Sequence, residues 1–289
     1  MFSAGHLIWI GISVALIAGG YTSCLIKKPS IEKMLKACLG VGLVSEVVKV
    51  LTVMNILPMV EPAIQSGEGG ALIAYAATGE FSPYLEMAHL PFELCSLMIV
   101  FIAIALAVKN EMWRSRLLSL MYVTGMIGGA LGIVLAYITA DYTTVSEYFS
   151  SPRVWQYFLY HAMVVTLGLY LGFNGQHKAS LSHWKYTMVG LIVMDFPTFY
   201  LNSIFSQPVY TDGKPVGLIY RANFFSSYVN PLGLVLSQKW QWLLYLVIRL
   251  VVAVIVVTFL LWLAGNVNRK CNGQEKLYPE KAKRRLARK

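Results

Sequence analysis

The chain has 289 residues, of which 57% are hydrophobic and only 13% are charged, and its mean hydropathy is +0.59. A soluble domain carries about 25% charged residues, so this composition excludes a single soluble globule. The same hydrophobicity excludes an intrinsically disordered chain. The class that remains is an integral, multi-pass membrane protein, in the cell membrane or an endomembrane. The positions of its charges therefore matter more than their net value of +10.

Apolar stretches long enough to cross a membrane follow one another along the chain. A helix of about 20 residues spans the hydrocarbon core of a bilayer, and a spanning segment must be helical because lipid cannot satisfy its backbone. Seven stretches meet this requirement: 5–26, 37–60, 87–108, 117–139, 154–173, 186–206 and 240–264. The sequence therefore predicts an all-α bundle of about seven transmembrane helices over residues 1–264, followed by a basic tail over 265–289.

Positive charge is distributed unequally between the two sides of the predicted bundle. Of the 24 Lys and Arg, 18 lie in the tail and in the connections 27–36, 109–116 and 174–185, whereas the opposite connections hold 4. Since Lys and Arg are enriched in cytoplasmic loops, this pattern predicts an outside N-terminus and a cytoplasmic C-terminus. It also favours an odd number of spans.

Two connections, 61–86 and 207–239, are longer than a turn, and both fall on the predicted outer side. Long ordered loops are often lids or binding elements, so either loop is a candidate re-entrant or interfacial segment that caps a cavity. Of the four cysteines, only Cys95 lies toward the outer side. We therefore expect no exported disulfide.

Polar residues inside the predicted spans are the main functional signal, because they are costly in lipid and usually functional. They are Glu46, Lys49, His89, Glu93, Cys95, His161, Asp195, Asn202 and Arg249. A helical rise of 1.5 Å per residue places the thiol, the His161 imidazole and two cations about 10–16 Å below the outer surface. They would thus share one layer. None of these residues has the spacing of a zinc helix motif, so no metal site is predicted.

The surroundings of Cys95 suggest nucleophilic chemistry. Pro91 suits the first turn of a helix, and a helix that begins there would hold Cys95 in its second turn, where the helix dipole favours a thiolate. The usual base for such a thiol is a histidine within hydrogen-bond reach. Glu93 lies on a different face of the helix, where it is a candidate to cap the helix, face His89 or orient His161.

Each of these residues also has a purely structural interpretation. A lone cysteine in an apolar helix is usually a packing residue, and His161 would satisfy its ring by bonding a backbone carbonyl. Glu46 and Lys49 are three residues apart and would neutralise each other. Asp195 and Arg249 would form an interhelical ion pair. His6, His177 and His183 are expected to be solvated or to have no role.

Four segments resemble a known family. HLPFELCSL at 89–97 resembles the Leu-Pro-Leu-His-Leu-Cys signature of the YwaF-like integral membrane proteins, which are related to the transmembrane protein 164 family. FLYHAMVVTLGLYLGF at 158–173 is similar to the family's histidine-bearing helix. FSAGHL at 2–7 resembles its N-terminal histidine segment, and YRANFF at 220–225 resembles its Asn-aromatic segment. Glu93 stands where the signature has a histidine.

The resemblance implies a phospholipid acyltransferase, in which a cysteine accepts a fatty acyl chain as a thioester and passes it to a lysophospholipid. Carried over, Cys95 is the nucleophile and His161 the base, with Glu93 as a third catalytic candidate. The candidates for substrate binding are Arg249, Lys49, Asn202, Asn223 and His89. Phospholipid, lysophospholipid and the membrane are the expected partners, with no cofactor, metal or nucleic acid.

Three alternative functions come from other classes. A transporter would use Glu46, Lys49, Asp195 and Arg249 as a substrate or proton path and would be indifferent to Cys95. A seven-helix receptor would match the span count, but the chain lacks an outer cysteine pair and an acidic-Arg-aromatic motif in its third span. A structural or assembly protein would require neither the thiol nor the imidazole.

Overall fold

The computed structural model describes residues 3–67, 70–136, 142–174, 176–177, 179–211, 214–220, 223–226 and 236–271. Most of this part of the chain is helical. Its helices are α1 (Ala4–Lys27), α2 (Ile31–Val53), α3 (Leu97–Ala107), α4 (Glu111–Val134), α5 (Val145–Ser150), α6 (Pro152–Phe173), α7 (Trp184–Ile204) and α8 (Lys239–Cys271). Its strands are β1 (Asn55–Gly67), β2 (Gly70–Tyr84), β3 (Ser206–Thr211) and β4 (Lys214–Tyr220).

Five of the described helices are long and apolar enough to cross a membrane, namely α1, α4, α6, α7 and α8. The prediction of an integral, multi-pass membrane protein is therefore confirmed. Helix α2 has 23 residues, but five of them are charged. Helix α3 has only 11 residues, which cover about half of a hydrocarbon core. Helix α8 continues past the predicted span end to Cys271, and the tail 272–289 lies outside the described residues.

The second and third predicted spans have different bounds in the structure. Helix α2 ends at Val53, and the chain then continues as strand β1, which contains Pro58, a residue that a helix interior does not tolerate. The third predicted span holds a 3-10 turn at Met87–His89 and irregular turns before α3 begins at Leu97. Leu90 is extended, with φ −63° and ψ 149°, because the following proline disfavours helical backbone at this position.

The prediction that Cys95 occupies the second turn of a helix is consequently wrong. Cys95 lies two residues before the first residue of α3, and Ser96 is the N-cap. The helical rise that was used for its depth therefore does not apply to this segment. Cys95 lies instead on an irregular turn that precedes the regular helix.

The two long connections, which were predicted to lie outside, contain β-hairpins, so the all-α prediction needs correction. Strand β1 pairs antiparallel with β2, and β3 pairs antiparallel with β4. Each hairpin satisfies its own inner backbone groups by cross-strand hydrogen bonds. An apolar run that is too short to span can therefore form regular structure without becoming helical.

Helices α4 and α6 form the centre of the bundle. A Cβ atom at Gly125 of α4 would lie 3.0 Å from the Val164 carbonyl oxygen of α6, so glycine lets the two backbones approach closely, as small residues do between membrane helices. Helices α1 and α2 also pack on α6, and α3 packs on α2 and α4. Tyr122 of α4 donates a hydrogen bond to the Leu260 carbonyl of α8 at 2.9 Å.

Histidines that had been given no role hold the connection after α6 against α4. Ser119 Oγ lies 2.9 Å from His177 Nε2 and 2.9 Å from His183 Nδ1, and the two imidazole rings are stacked. Burial, together with the neighbouring His183, lowers the pKa of His177 to about 3. The His177 ring is therefore neutral at physiological pH, and burial together with nearby Arg116 also lowers the pKa of His183. The serine hydroxyl links the two rings.

Candidate active site

The turn that carries Cys95 is fixed by both central helices. The Cys95 carbonyl oxygen accepts a hydrogen bond from the Tyr160 hydroxyl of α6 at 2.7 Å and one from the Met98 amide at 3.2 Å. On the other side, Leu94 packs against α4, where a Cβ atom at Gly128 would lie 3.3 Å from it. The thiol is free and partly buried. The backbone of the Cys95 turn is thus held from both sides.

His161 lies in a space that a glycine of α4 provides. The imidazole is 4% exposed, and its Nδ1 donates a hydrogen bond to the Tyr157 carbonyl oxygen at 2.7 Å. This tautomer leaves Nε2 as the proton acceptor. A Cβ atom at position 132 would lie 2.4 Å from Nε2, so only Gly132 leaves room for the ring.

The cysteine turn and the histidine contact neighbouring positions of one helix face. Gly128, which faces Leu94, and Gly132, which faces His161, are one turn of α4 apart, roughly 5–6 Å. The rings of Tyr160 and His161 also lie 5.7 Å apart between centroids. Within the described part of the chain, no hydrogen bond joins the Cys95 sulfur to the imidazole. Catalytic hydrogen bonds are often long before substrate binds.

Glu93 connects the cysteine segment to the loop before α8. Its carboxylate accepts a hydrogen bond from the Phe225 amide, and the ring of Phe92 meets that of Phe224 edge-on at 5.4 Å. Phe225 adopts a left-handed backbone with φ 55°, which costs energy for a residue other than glycine. His89 is half-buried at the end of the preceding 3-10 turn.

The same loop is anchored to α7 and α8 by polar groups. Fully buried Asn202 accepts from the Phe224 amide at 2.9 Å and donates to the Phe224 carbonyl at 3.1 Å. Arg249 donates to the Phe225 carbonyl at 2.7 Å and forms an ion pair with Asp195. Asn223 precedes this anchored segment. Asn202 and Arg249 therefore both have partners within the protein.

A third polar group lies on the α2 side of the Cys95 turn. Lys49, which is 6% exposed, pairs with Glu46. Arg153 of α6 donates to the Gln156 side chain, and its charge lies within electrostatic range of Glu46 and Cys95. The cluster contains two cations and one carboxylate. It therefore has an excess of one positive charge.

Sequence reasoning missed several residues of this arrangement. Arg153 was counted as an ordinary loop cation, although it stands in the first turn of α6, where the helix dipole disfavours a positive charge. That mismatch is a signal of a special role. His6 was expected to be solvated, but it is fully buried and its Nε2 lies 3.0 Å from the Ile133 carbonyl oxygen. It therefore contacts α4 beside the glycine that faces His161.

A comparison with protein families assigns this chain to a family. The sequence model of the TMEM164 family matches residues 1–263, a range that contains each of the site residues above. The chain belongs to the TMEM164 family. Comparison with curated proteins and with solved structures finds no match. The family resemblance that was inferred from the four short segments is thus confirmed for this TMEM164-family protein.

The polar contacts that anchor residues 224–225 lead to a prediction about stability. Arg249→Met should destabilise the protein by about 2–4 kcal/mol, because it leaves the Asp195 carboxylate without its partner. The double variant Asp195→Leu, Arg249→Met should recover most of this loss, since no lone charge remains. Thermal unfolding in detergent measures both. Lys36→Met is the control, since its pair with Glu32 is well exposed and contributes little. A double variant as unstable as Arg249→Met would contradict the charge argument.

Proposed function

We propose that this TMEM164-family protein is a membrane lipid acyltransferase in which Cys95 carries the acyl chain as a thioester. The observation that carries the proposal is the Tyr160 hydrogen bond. It holds the Cys95 turn beside His161 on the glycine face of α4. A free thiol on an irregular turn and an imidazole with an available Nε2 are the groups that thioester chemistry requires. Family membership makes the same chemistry the first hypothesis to test.

The reaction consists of two transfers that mirror each other. In the first, the Cys95 proton moves to His161 Nε2, the sulfur attacks the ester carbonyl carbon of a phospholipid, and the carbon–oxygen bond breaks. The departing lysophospholipid oxygen takes the proton from His161. In the second, the hydroxyl of another lysophospholipid gives its proton to His161 and attacks the thioester. The carbon–sulfur bond then breaks, and the proton returns to sulfur. The imidazole thus serves as base and acid in turn.

The other candidate residues are assigned to positioning in this proposal. Glu93, Asn202 and Arg249 hold residues 224–225 over the cysteine segment. His89 and Asn223 lie on the two segments that meet there, and we assign them to the head-group side of the substrate. Lys49 belongs to the positive cluster that it forms with Glu46 and Arg153. Glu93, which stands at the signature histidine, would act through the loop and not on the reacting atoms.

We also propose seven crossings, with α2 and α3 as the second and third, an outside N-terminus and a cytoplasmic C-terminus. The distribution of Lys and Arg supports this orientation, and it brings Cys95 to the outer half of the membrane. Cysteines introduced at Ser146 of α5 and at Ser182, in a variant without native cysteines, test it. An impermeant thiol reagent applied to intact cells should label position 146 and not position 182. The reverse pattern would contradict the orientation.

The experiment for the activity is acyl exchange between labelled phospholipid and lysophospholipid in proteoliposomes of the purified protein. We expect labelled product and, during turnover, a fatty acyl label on the protein that hydroxylamine removes. The absence of both labelled product and protein-bound label would contradict the proposal. A transporter is the less favoured function, because the four charges that it would use are paired as Glu46–Lys49 and Asp195–Arg249.

A further inference from the structure

A groove runs along the outside of the bundle between α2, α5 and α6. Its volume is about 580 Å³, which is within the range of small-molecule sites. The residues that matter for its shape are Val41, Val44, Val48, Trp155, Leu159 and Tyr160. From Val41 to Val48 the groove follows α2 for roughly 10 Å. Most of its wall is apolar.

The groove opens sideways toward the lipid. The side chains of Val44 and Leu159 are 64% and 42% exposed, and Trp155 is 40% exposed. In a membrane protein such apolar surface faces acyl chains, and a site open in this direction is reached from within the leaflet. Helix α5 closes the end of the groove through Phe149.

Polar groups mark the α5 end of the groove. Gln156 donates a hydrogen bond to Ser45 across the groove at 2.7 Å. Arg153 donates to the same Gln156 and thus lies directly behind the groove lining, within electrostatic range of the Glu46–Lys49 ion pair. An apolar cleft with positive charge at one end is complementary to an acyl chain that is attached to a phosphate.

The floor of the groove leads to the cysteine. Tyr160 lines the groove, and its hydroxyl is the group that donates to the Cys95 carbonyl oxygen at 2.7 Å. One side chain therefore separates the lipid-facing groove from the Cys95 turn. A ligand that reaches Tyr160 from the side is thus one side chain away from the Cys95 turn.

We propose that this groove is the lateral access site for a membrane phospholipid. Its phosphate binds at Arg153, one acyl chain lies along Val44 and Leu159, and its ester reaches Tyr160, which contacts the Cys95 turn. The lipid comes from the leaflet at the α5 end, which is the outer leaflet in the proposed orientation. The assignment of the ester position rests on the proposed function. The binding of the phospholipid in the groove does not.

Photocrosslinking tests the site without using activity. Cys95→Ser protein in proteoliposomes is irradiated with a phosphatidylcholine that carries a diazirine on one acyl chain, and the labelled peptides are mapped. Label should concentrate on residues 41–48 and 155–160. Val44→Trp should lower that label by roughly tenfold, because the indole fills the groove. Val47→Trp is the matched control, since Val47 is 58% exposed on the same helix but does not line the groove.

The role of the cations is tested with a diacylglycerol probe that has the same chains but no phosphate. Phosphatidylcholine should label the groove more strongly than diacylglycerol, and Arg153→Gln should remove this difference. Arg153→Lys keeps a positive charge and should retain part of it. Equal labelling by both probes in protein that retains Arg153 would overturn the assignment of the phosphate site.

Several outcomes separate this proposal from the acyltransferase proposal. Label spread evenly over the exposed faces of α1, α2 and α7 would overturn the groove and leave the chemistry at Cys95 open to its own test. Full acyl transfer by Val44→Trp protein that has lost the label would overturn the groove as the route while supporting the enzyme. Concentrated, phosphate-dependent label on Cys95→Ser protein, together with no acyl transfer by the wild-type protein, would support the groove and overturn the enzyme.

Discussion

Cys95→Ser is expected to lower acyl transfer by several orders of magnitude while the fold is retained. A serine hydroxyl has nearly the same size as the thiol, but it ionises far less readily and is a much weaker nucleophile. The bond from Tyr160 goes to the backbone carbonyl of residue 95, so the substitution leaves it in place. Acyl exchange in proteoliposomes measures the activity, and thermal unfolding measures the fold. The hydroxylamine-sensitive acyl label should disappear with the activity.

Cys38→Ser is the matched control for this variant. Cys38 is a free thiol with 3% exposure in the hydrophobic core, and its replacement removes a thiol that the proposed mechanism does not use. We expect acyl transfer to persist in Cys38→Ser protein. Activity that survives in Cys95→Ser protein, or an acyl label found only on Cys24, Cys38 or Cys271, would refute the thioester mechanism.

The second large effect is expected at His161. His161→Ala should lower acyl transfer by roughly 10²–10⁴-fold, because it removes the proposed acid and base. Gly132→Ala should also lower it, since the new methyl group would lie 2.4 Å from Nε2 and must displace the imidazole. The two substitutions lie on different helices, α6 and α4, but both affect the imidazole at position 161. The rate of acyl exchange is therefore expected to fall in both.

Gly40→Ala is the control for the glycine variant. Gly40 of α2 has no heavy atom within 4 Å of an added Cβ atom, and alanine favours helix more than glycine does. It should therefore be neutral or stabilising, with unchanged activity. Because a displaced ring could also disturb folding, the pH dependence of the rate is measured for His161→Ala. A variant that keeps both the rate and its pH profile would remove His161 from the mechanism.

Hydropathy and local pairing were readable from the sequence because they depend on neighbours along the chain. The membrane class follows from long apolar runs, and the pair Glu46–Lys49 follows from helical spacing, as its ion pair confirms. The alternative interpretation of Asp195 and Arg249 as an ion pair is also confirmed. Two opposite charges inside a membrane have few polar partners other than each other, so an ion pair between Asp195 and Arg249 could be predicted from the sequence.

The local break at Pro91 was harder to predict. The third predicted span has the composition of a membrane helix, and hydropathy does not distinguish a helix from an irregular segment that is buried by other helices. Residues from other elements make hydrogen bonds to the polar groups of that segment. Tyr160 donates to the Cys95 carbonyl, and the Phe225 amide donates to Glu93. Non-helical backbone is tolerated inside a membrane protein only where such partners cover it.

The sequence by itself determined that this is a membrane protein of the TMEM164 family, with a thiol and an imidazole among its few intramembrane polar groups. Only the tertiary structure decided which of these groups meet. Gly132 makes room for His161, Gln156 of the groove wall binds Ser45, and residues 224–225 pack over Glu93. These contacts join positions that are distant in sequence. They depend on which helix faces are neighbours, which is set by packing and not by composition or periodicity.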